Sequence, residues 1–254
     1  VKVSKLKHMK GRPLVAEEFE RMLDVTPRVV GNAGAESWRF VLRGLWESAL
    51  RIGELMSVSW DIPGTICPVW KRGRLPVLQI PAERQKNATE EAIPLLPWFE
   101  DLLNEVPHSE RAGWVFEPAS LQTSRKSPAD YRPHAEWAAK IVSRIGKAAG
   151  IIVEPKDQTG RPAKFASSHD LRRSCAERLV EAGIPEGVIT RVLRHASWET
   201  TRRHYAPGNV QRDATVLRDL LSSERKTEND RESAHGSTRA AEQSTNSVAV
   251  FLPD

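Results

Sequence analysis

Apolar residues recur at helical spacing along most of the chain. Residues 36–50 place Trp38, Val41, Leu42, Leu45, Trp46 and Ala49 on one stripe, the period of a helix packed on a core. Pro13 followed by Glu17 and Glu18 predicts a helix start, with Phe19, Met22 and Leu23 on its inner face. The period then changes. Ile66 to Trp70, Leu75 to Ile80 and Glu91 to Leu95 are short β-like runs, with Lys71-Arg72-Gly73-Arg74 and Lys86-Asn87 as their turns. They predict a small antiparallel sheet of three strands. Helical patterning resumes over 97–106, 135–149, 168–182, 185–193 and 210–221, with Gly183 and Pro185 as a stop and a restart. Ser197 is a plausible N-cap for a short helix that ends before Pro207. The fold class is α+β and mainly helical.

From 222 the pattern stops. Ser, Thr, Glu, Arg and Asn dominate to Ser247, the composition of a disordered tail. The last residues, Val248 to Leu252, are apolar again, either a frayed end or a strand that docks on a neighbouring subunit. The chain thus divides into a linker remnant at 1–12, a folded domain at 13–221 and the tail at 222–254. It opens on Val rather than Met, as an excised or processed fragment does.

The chain's 254 residues are enough for one large domain or two small ones. No apolar run reaches the ~20 residues of a membrane helix. The basic opening residues lack the apolar core of a signal peptide. Cys67 and Cys175 lie far apart and form neither a disulfide framework nor a zinc pattern. A cytoplasmic setting is expected. The formal charge is +5. The tail holds four basic residues (Arg225, Lys226, Arg231, Arg239) against six acidic ones (Glu224, Glu228, Asp230, Glu232, Glu242, Asp254). The basic surplus therefore belongs to the folded part, which favours an anionic partner.

Four places could carry chemistry. In Ala49-Leu50-Arg51-Ile52-Gly53-Glu54-Leu55 an Arg ends an apolar helix, with Glu54 three residues on and in reach of it. A guanidinium suits phosphate, because it donates two parallel hydrogen bonds and keeps its charge. In Ser168-His169-Asp170-Leu171-Arg172-Arg173-Ser174, His169 and Arg172 share a face near a helix N-terminus. Leu171, Cys175 and Leu179 form the core stripe, which places His169 and Arg172 off the core. The run from Val192 to Tyr205 holds His195, His204, three Arg and one of the chain's two tyrosines. Lys86 falls at a hairpin tip, from which it could reach a phosphate or donate a proton. Each reading has a plain counterpart: a structural ion pair, surface residues, a basic face that touches phosphate without chemistry, a solvated turn lysine.

The order Arg, Lys, His-x-x-Arg, His, Tyr resembles the tyrosine recombinase (phage integrase) family over roughly Pro13 to Tyr205. Arg51 lies in a stretch similar to that family's first arginine box, His169 to Arg172 resembles its His-x-x-Arg box, and Leu193 to Tyr205 its closing box. The resemblance implies a site-specific recombinase or integrase, with double-stranded DNA as partner, a tetramer on that DNA, and a place in the cytoplasm with the nucleoid. It implies no metal, no cofactor and no small-molecule substrate. It assigns Tyr205 as nucleophile and Arg51, Arg172 and His195 as ligands of the scissile phosphate. It makes His169 the general base and Lys86 the acid for the leaving 5′-oxygen. Lys71, Arg72, Arg74, Arg84, Arg173, Arg202 and Arg203 are expected to add non-specific affinity. The family's N-terminal DNA-clamping domain is expected to be missing from this chain.

Two departures stand out. The family usually has Leu-Gly-His where this chain has Leu193-Arg194-His195, so Arg194 is strained if the position needs positive φ. The family's tyrosine commonly lies nine residues after that histidine; here His204 does, and Tyr205 follows. The alternatives are a non-catalytic DNA-binding relative and a type IB topoisomerase-like enzyme.

Overall fold

The computed structural model describes residues 11–84, 90–120, 133–156 and 160–194, all within the unit that runs from 1 to 206. The readings made for Lys86, His195, Ser197, Arg202, Arg203, His204, Tyr205, the helix at 210–221 and the tail lie outside these residues. Seven α-helices are described: α1 (Ala16–Val30), α2 (Asn32–Ser48), α3 (Ile52–Leu55), α4 (Pro97–Asn104), α5 (Ala135–Ala148), α6 (Ser168–Glu181) and α7 (Glu186–Leu193). Five strands accompany them: β1 (Cys67–Val69), β2 (Val77–Ile80), β3 (Glu91–Pro94), β4 (Ile152–Glu154) and β5 (Lys164–Phe165). No described helix is long and apolar enough to cross a membrane.

α2 is the spine. Trp38, Val41, Leu42 and Leu45 are buried along it, and α1, α4 and α6 pack around it. The apolar stripe read from the sequence is this helix's inner face, and removal of such side chains from water is its main stabilisation. α1 starts three residues after Pro13, at Ala16, and continues through Pro27. A proline cannot donate to the carbonyl four residues back. Arg39 of α2 does so instead, its Nε donating to the Leu23 carbonyl at 3.0 Å. A local defect in α1 is thus closed by its neighbour.

The three-stranded sheet forms as the alternation predicts, antiparallel in the order β1-β2-β3, with Leu78 paired to Ile93 and Cys67 to Gln79. Its inner face buries Leu78, Ile80 and Ile93. A second antiparallel pair, β4 and β5, has no counterpart in the sequence reading. It leads directly into α6. There Gly146 of α5 lies against the chain: a Cβ on it would stand 2.1 Å from the Ala166 carbonyl oxygen. The glycine is what lets α5 approach the entry to α6.

Candidate functional site

Glu54 is the centre of an arginine cluster drawn from three parts of the chain. Arg51 precedes α3 in extended conformation and wraps onto Glu54. Its backbone N–H donates to Oε2 at 2.8 Å and its Nη1 donates to Oε1 at 2.9 Å. This is the pairing that the three-residue spacing predicts, and the Arg51 side chain stays 49% exposed. Arg194, which follows α7, donates from Nη1 to the same Oε1 at 2.8 Å. Arg172 of α6 brings its Nη1 within 3.7 Å of Oε2. Arg51, Glu54 and Arg194 line one cleft of about 540 Å³, together with Ile52, Ser57 and Glu136. Of the charged groups on this cleft, two arginines and two glutamates, Arg51 keeps an exposed guanidinium that can meet an anion, and Glu54 fixes it so that little reorganisation is needed.

Arg172 is not off the core, as the helix-face reading had it; its side chain is 2% exposed. Its Nη1 donates to the Ala49 carbonyl and its Nη2 to the Leu193 carbonyl. These oxygens belong to the C-terminal ends of α2 and α7. Such ends carry negative dipole charge and carbonyls without helical partners. A cation placed between two of them is stabilised there, which explains its burial. Ala49 and Arg194 have φ of 56° and 51°, the only positive values among the described non-glycine residues. Arg194 therefore does occupy the left-handed region, at a cost of roughly 1–2 kcal/mol. Its ion pairs offset that cost.

His169 stands on the first turn of α6 with its side chain meeting solvent. Partial desolvation, and next the charge of Arg173, hold its pKa below the ordinary histidine value. Arg172, a member of the Glu54 cluster, adds its charge in the same direction.

Arg173 is a second correction. Expected to add non-specific affinity for DNA, it is instead buried: its side chain is 3% exposed and its Nη1 donates to Asp170 Oδ1 at 2.6 Å. Asp170 is fully buried, and its Oδ2 accepts from Ser167 Oγ at 2.6 Å and from the Ser167 backbone at 3.0 Å. The carboxylate thus caps α6 and neutralises Arg173 at once. Gly11, at φ 98°, lies over the pair; a Cβ on it would be 2.3 Å from Asp170 Oδ1. Lys71, Arg72 and Arg74, by contrast, are exposed on the β1–β2 turn. Cys175, one turn further along α6, is buried, and its thiol pKa is pushed up to about 11 by that burial.

Asp170→Ala takes from the buried Arg173 the carboxylate it donates to and removes the cap. We expect it to lower unfolding free energy by roughly 3 kcal/mol, the low end for a broken buried ion pair. Urea titration measures this. A change below ~1 kcal/mol would show that the pair contributes little.

The residues missed by sequence reasoning are Arg194 as a side chain and Glu91. Arg194 Nε lies 3.4 Å from Glu91 Oε2, at the first residue of β3. Only the backbone demand at 194 was visible in the sequence; its partners are about 100 and 140 residues away.

Comparison with known proteins bears on the family and the fold. The Phage integrase family model matches residues 12–212. Tyrosine recombinase XerA of Pyrococcus furiosus is 25% identical over 192 residues, covering 75% of this chain and 56% of its own length. The chain thus spans about half of that relative. The Tn1549 transposon integrase, solved with transposon right-end DNA, aligns with a TM-score of 0.53 at 16% identity, over 85% of this chain and 67% of that one. A lambda integrase dimer bound to a core site aligns with a TM-score of 0.50 at 17% identity, over 79% and 61%. These structures share the fold: a helical domain with a small antiparallel sheet. With its family model matched over most of its length, the chain belongs to the phage integrase family.

Proposed function

We propose that the chain is the catalytic part of a site-specific recombinase that cuts and rejoins double-stranded DNA through a 3′-phosphotyrosine. The observation that carries this reading is the meeting of Arg51 and Arg172 on Glu54 beside an open cleft, in a chain of this family. Tyr205 attacks the scissile phosphorus; an Oη–P bond forms and the P–O5′ bond breaks. A free tyrosine is a weak nucleophile near neutral pH, so the step needs a base and charge stabilisation. His169 takes the tyrosine proton, and Lys86 gives one to the departing 5′-oxygen. Arg51, Arg172 and His195 bear the negative charge that grows on the non-bridging oxygens. Attack by another strand's 5′-hydroxyl reverses the step. The phosphodiester energy is kept in the adduct, so no nucleotide, metal or cofactor is assigned. Exposed Lys71, Arg72 and Arg74 supply non-specific affinity. Exchange between two duplexes calls for a tetramer on DNA, and the setting is the cytoplasm and its nucleoid.

The test is covalent trapping on a pool of random-sequence duplexes nicked so that the cleaved end diffuses away. The expected result is a protein–DNA adduct that survives denaturation. Salt-dependent binding with no adduct would overturn this reading in favour of the non-catalytic relative.

The base assignment makes its own prediction. With its pKa held down, His169 is neutral and competent through neutral pH. The single-turnover rate should be flat there and fall only at a pH below the ordinary histidine value. His169→Gln should lose that inflection. An inflection that survives in the variant would assign the base elsewhere.

A further inference from the structure

Arg194 occupies a backbone conformation that glycine adopts without strain, yet its side chain is not idle. It is 12% exposed and lies between two carboxylates, Glu54 at 2.8 Å and Glu91 at 3.4 Å. Glu54 Oε1 is shared between Arg194 and Arg51, and Oε2 takes the Arg51 amide. Glu91 opens β3, five residues after Lys86 in sequence. One guanidinium therefore ties the end of α7 to the carboxylate that orients Arg51 and to the strand that follows the lysine-bearing segment.

The charge balance gives the tie a consequence. A carboxylate paired with a single arginine draws that guanidinium into a closed bidentate pair. Shared with Arg194, Glu54 fixes Arg51 through one Nη and the backbone while neutralising it less. We propose that Arg194 is a positioning residue for DNA strand cleavage: it holds Glu54, and through Glu54 the Arg51 guanidinium, in fixed relation to β3. The proposal rests on the reading that this cleft cleaves DNA.

Arg194→Gly, Arg194→Lys and Glu91→Gln test it with two readouts. The first needs no DNA: hydrogen exchange of the Arg51 amide, which donates to Glu54. The second is the single-turnover rate of adduct formation at saturating nicked duplex. For Arg194→Gly we expect Arg51 amide exchange at least tenfold faster and a cleavage rate at least tenfold lower. DNA affinity should stay within about threefold and the melting temperature should not fall. Arg194→Lys, which keeps the charge but not the fork, should recover part of both losses. Glu91→Gln should lose less than Arg194→Gly. If Arg194→Gly fails to fold, the other two variants carry both readouts. Unchanged amide exchange in Arg194→Gly would overturn the proposal, as would a weakened DNA affinity with an unchanged saturating rate, which would make Arg194 a direct phosphate contact. Absence of an adduct from the wild type would instead overturn the cleavage reading, and amide exchange alone would then judge whether Arg194 holds Glu54.

Discussion

Tyr205→Phe is expected to abolish the covalent DNA adduct, and His204→Ala is expected to keep it. The two neighbours compete because His204 lies nine residues after His195 and Tyr205 lies ten after it. One residue of helix is a rotation of about 100°, so on a regular helix only one of the two faces the phosphate. Chemistry favours the tyrosine. Its oxygen forms a phosphodiester-like linkage whose leaving-group ability matches reversal by a 5′-hydroxyl, whereas a histidine adduct is an acid-labile phosphoramidate. Acid treatment of the trapped species distinguishes them. Loss of the hydroxyl removes the nucleophile itself, so the Phe variant should fall to background while still binding DNA. An acid-labile adduct that persists in Tyr205→Phe and disappears in His204→Ala would transfer the role to His204. Tyr131, the chain's other tyrosine, sits in the run Ala129-Asp130-Tyr131-Arg132-Pro133 and is a poor third candidate.

What the sequence made legible was whatever depends on short range. The α2 stripe, the three-stranded sheet and the break at Gly183–Pro185 all follow from periodicity and turn residues, and all are present. The α3 turn and the β4–β5 pair were not seen: α3 is a single turn, and β4 and β5 lie in no longer β-like run such as Leu75 to Ile80, which announced β2. The Arg51–Glu54 pair was legible because it spans three residues. Asp170 and Arg173 have that same spacing, yet charge counting assigned Arg173 to the surface. Gly11, about 160 residues away in sequence, lies against the pair, and no local spacing announces such a neighbour. Arg172 fails for a related reason. Apolar periodicity predicts burial from like neighbours and takes no account of carbonyls delivered by two other helices. The positive φ at Arg194 was foreseeable as a backbone demand, but its ion pairs were not.

Arg172 is where stability and chemistry overlap most, and Arg172→Ala is expected to lose both. Two C-terminal carbonyls, those of Ala49 and Leu193, accept from its guanidinium at buried positions. A buried acceptor left without its donor costs about 1–3 kcal/mol, so the pair of them accounts for roughly 4 kcal/mol. For a domain of this size that is a fall of roughly 8–16 °C in melting temperature. Arg172→Lys separates the two roles. An ammonium reaches one carbonyl or the other but lacks the fork that spans both. Its stability should drop by about half as much, while adduct formation falls roughly 10²–10³-fold, the loss seen when one donor to a developing oxyanion is removed. Calorimetry and single-turnover trapping on the same preparations read the two effects. A lysine variant that cleaves at the wild-type rate would confine Arg172 to its structural task of joining α2 to α7. A lysine variant as stable as wild type that cannot cleave would mean the carbonyl contacts hold little of the fold, and that the guanidinium sits between the two helix ends chiefly for the phosphate.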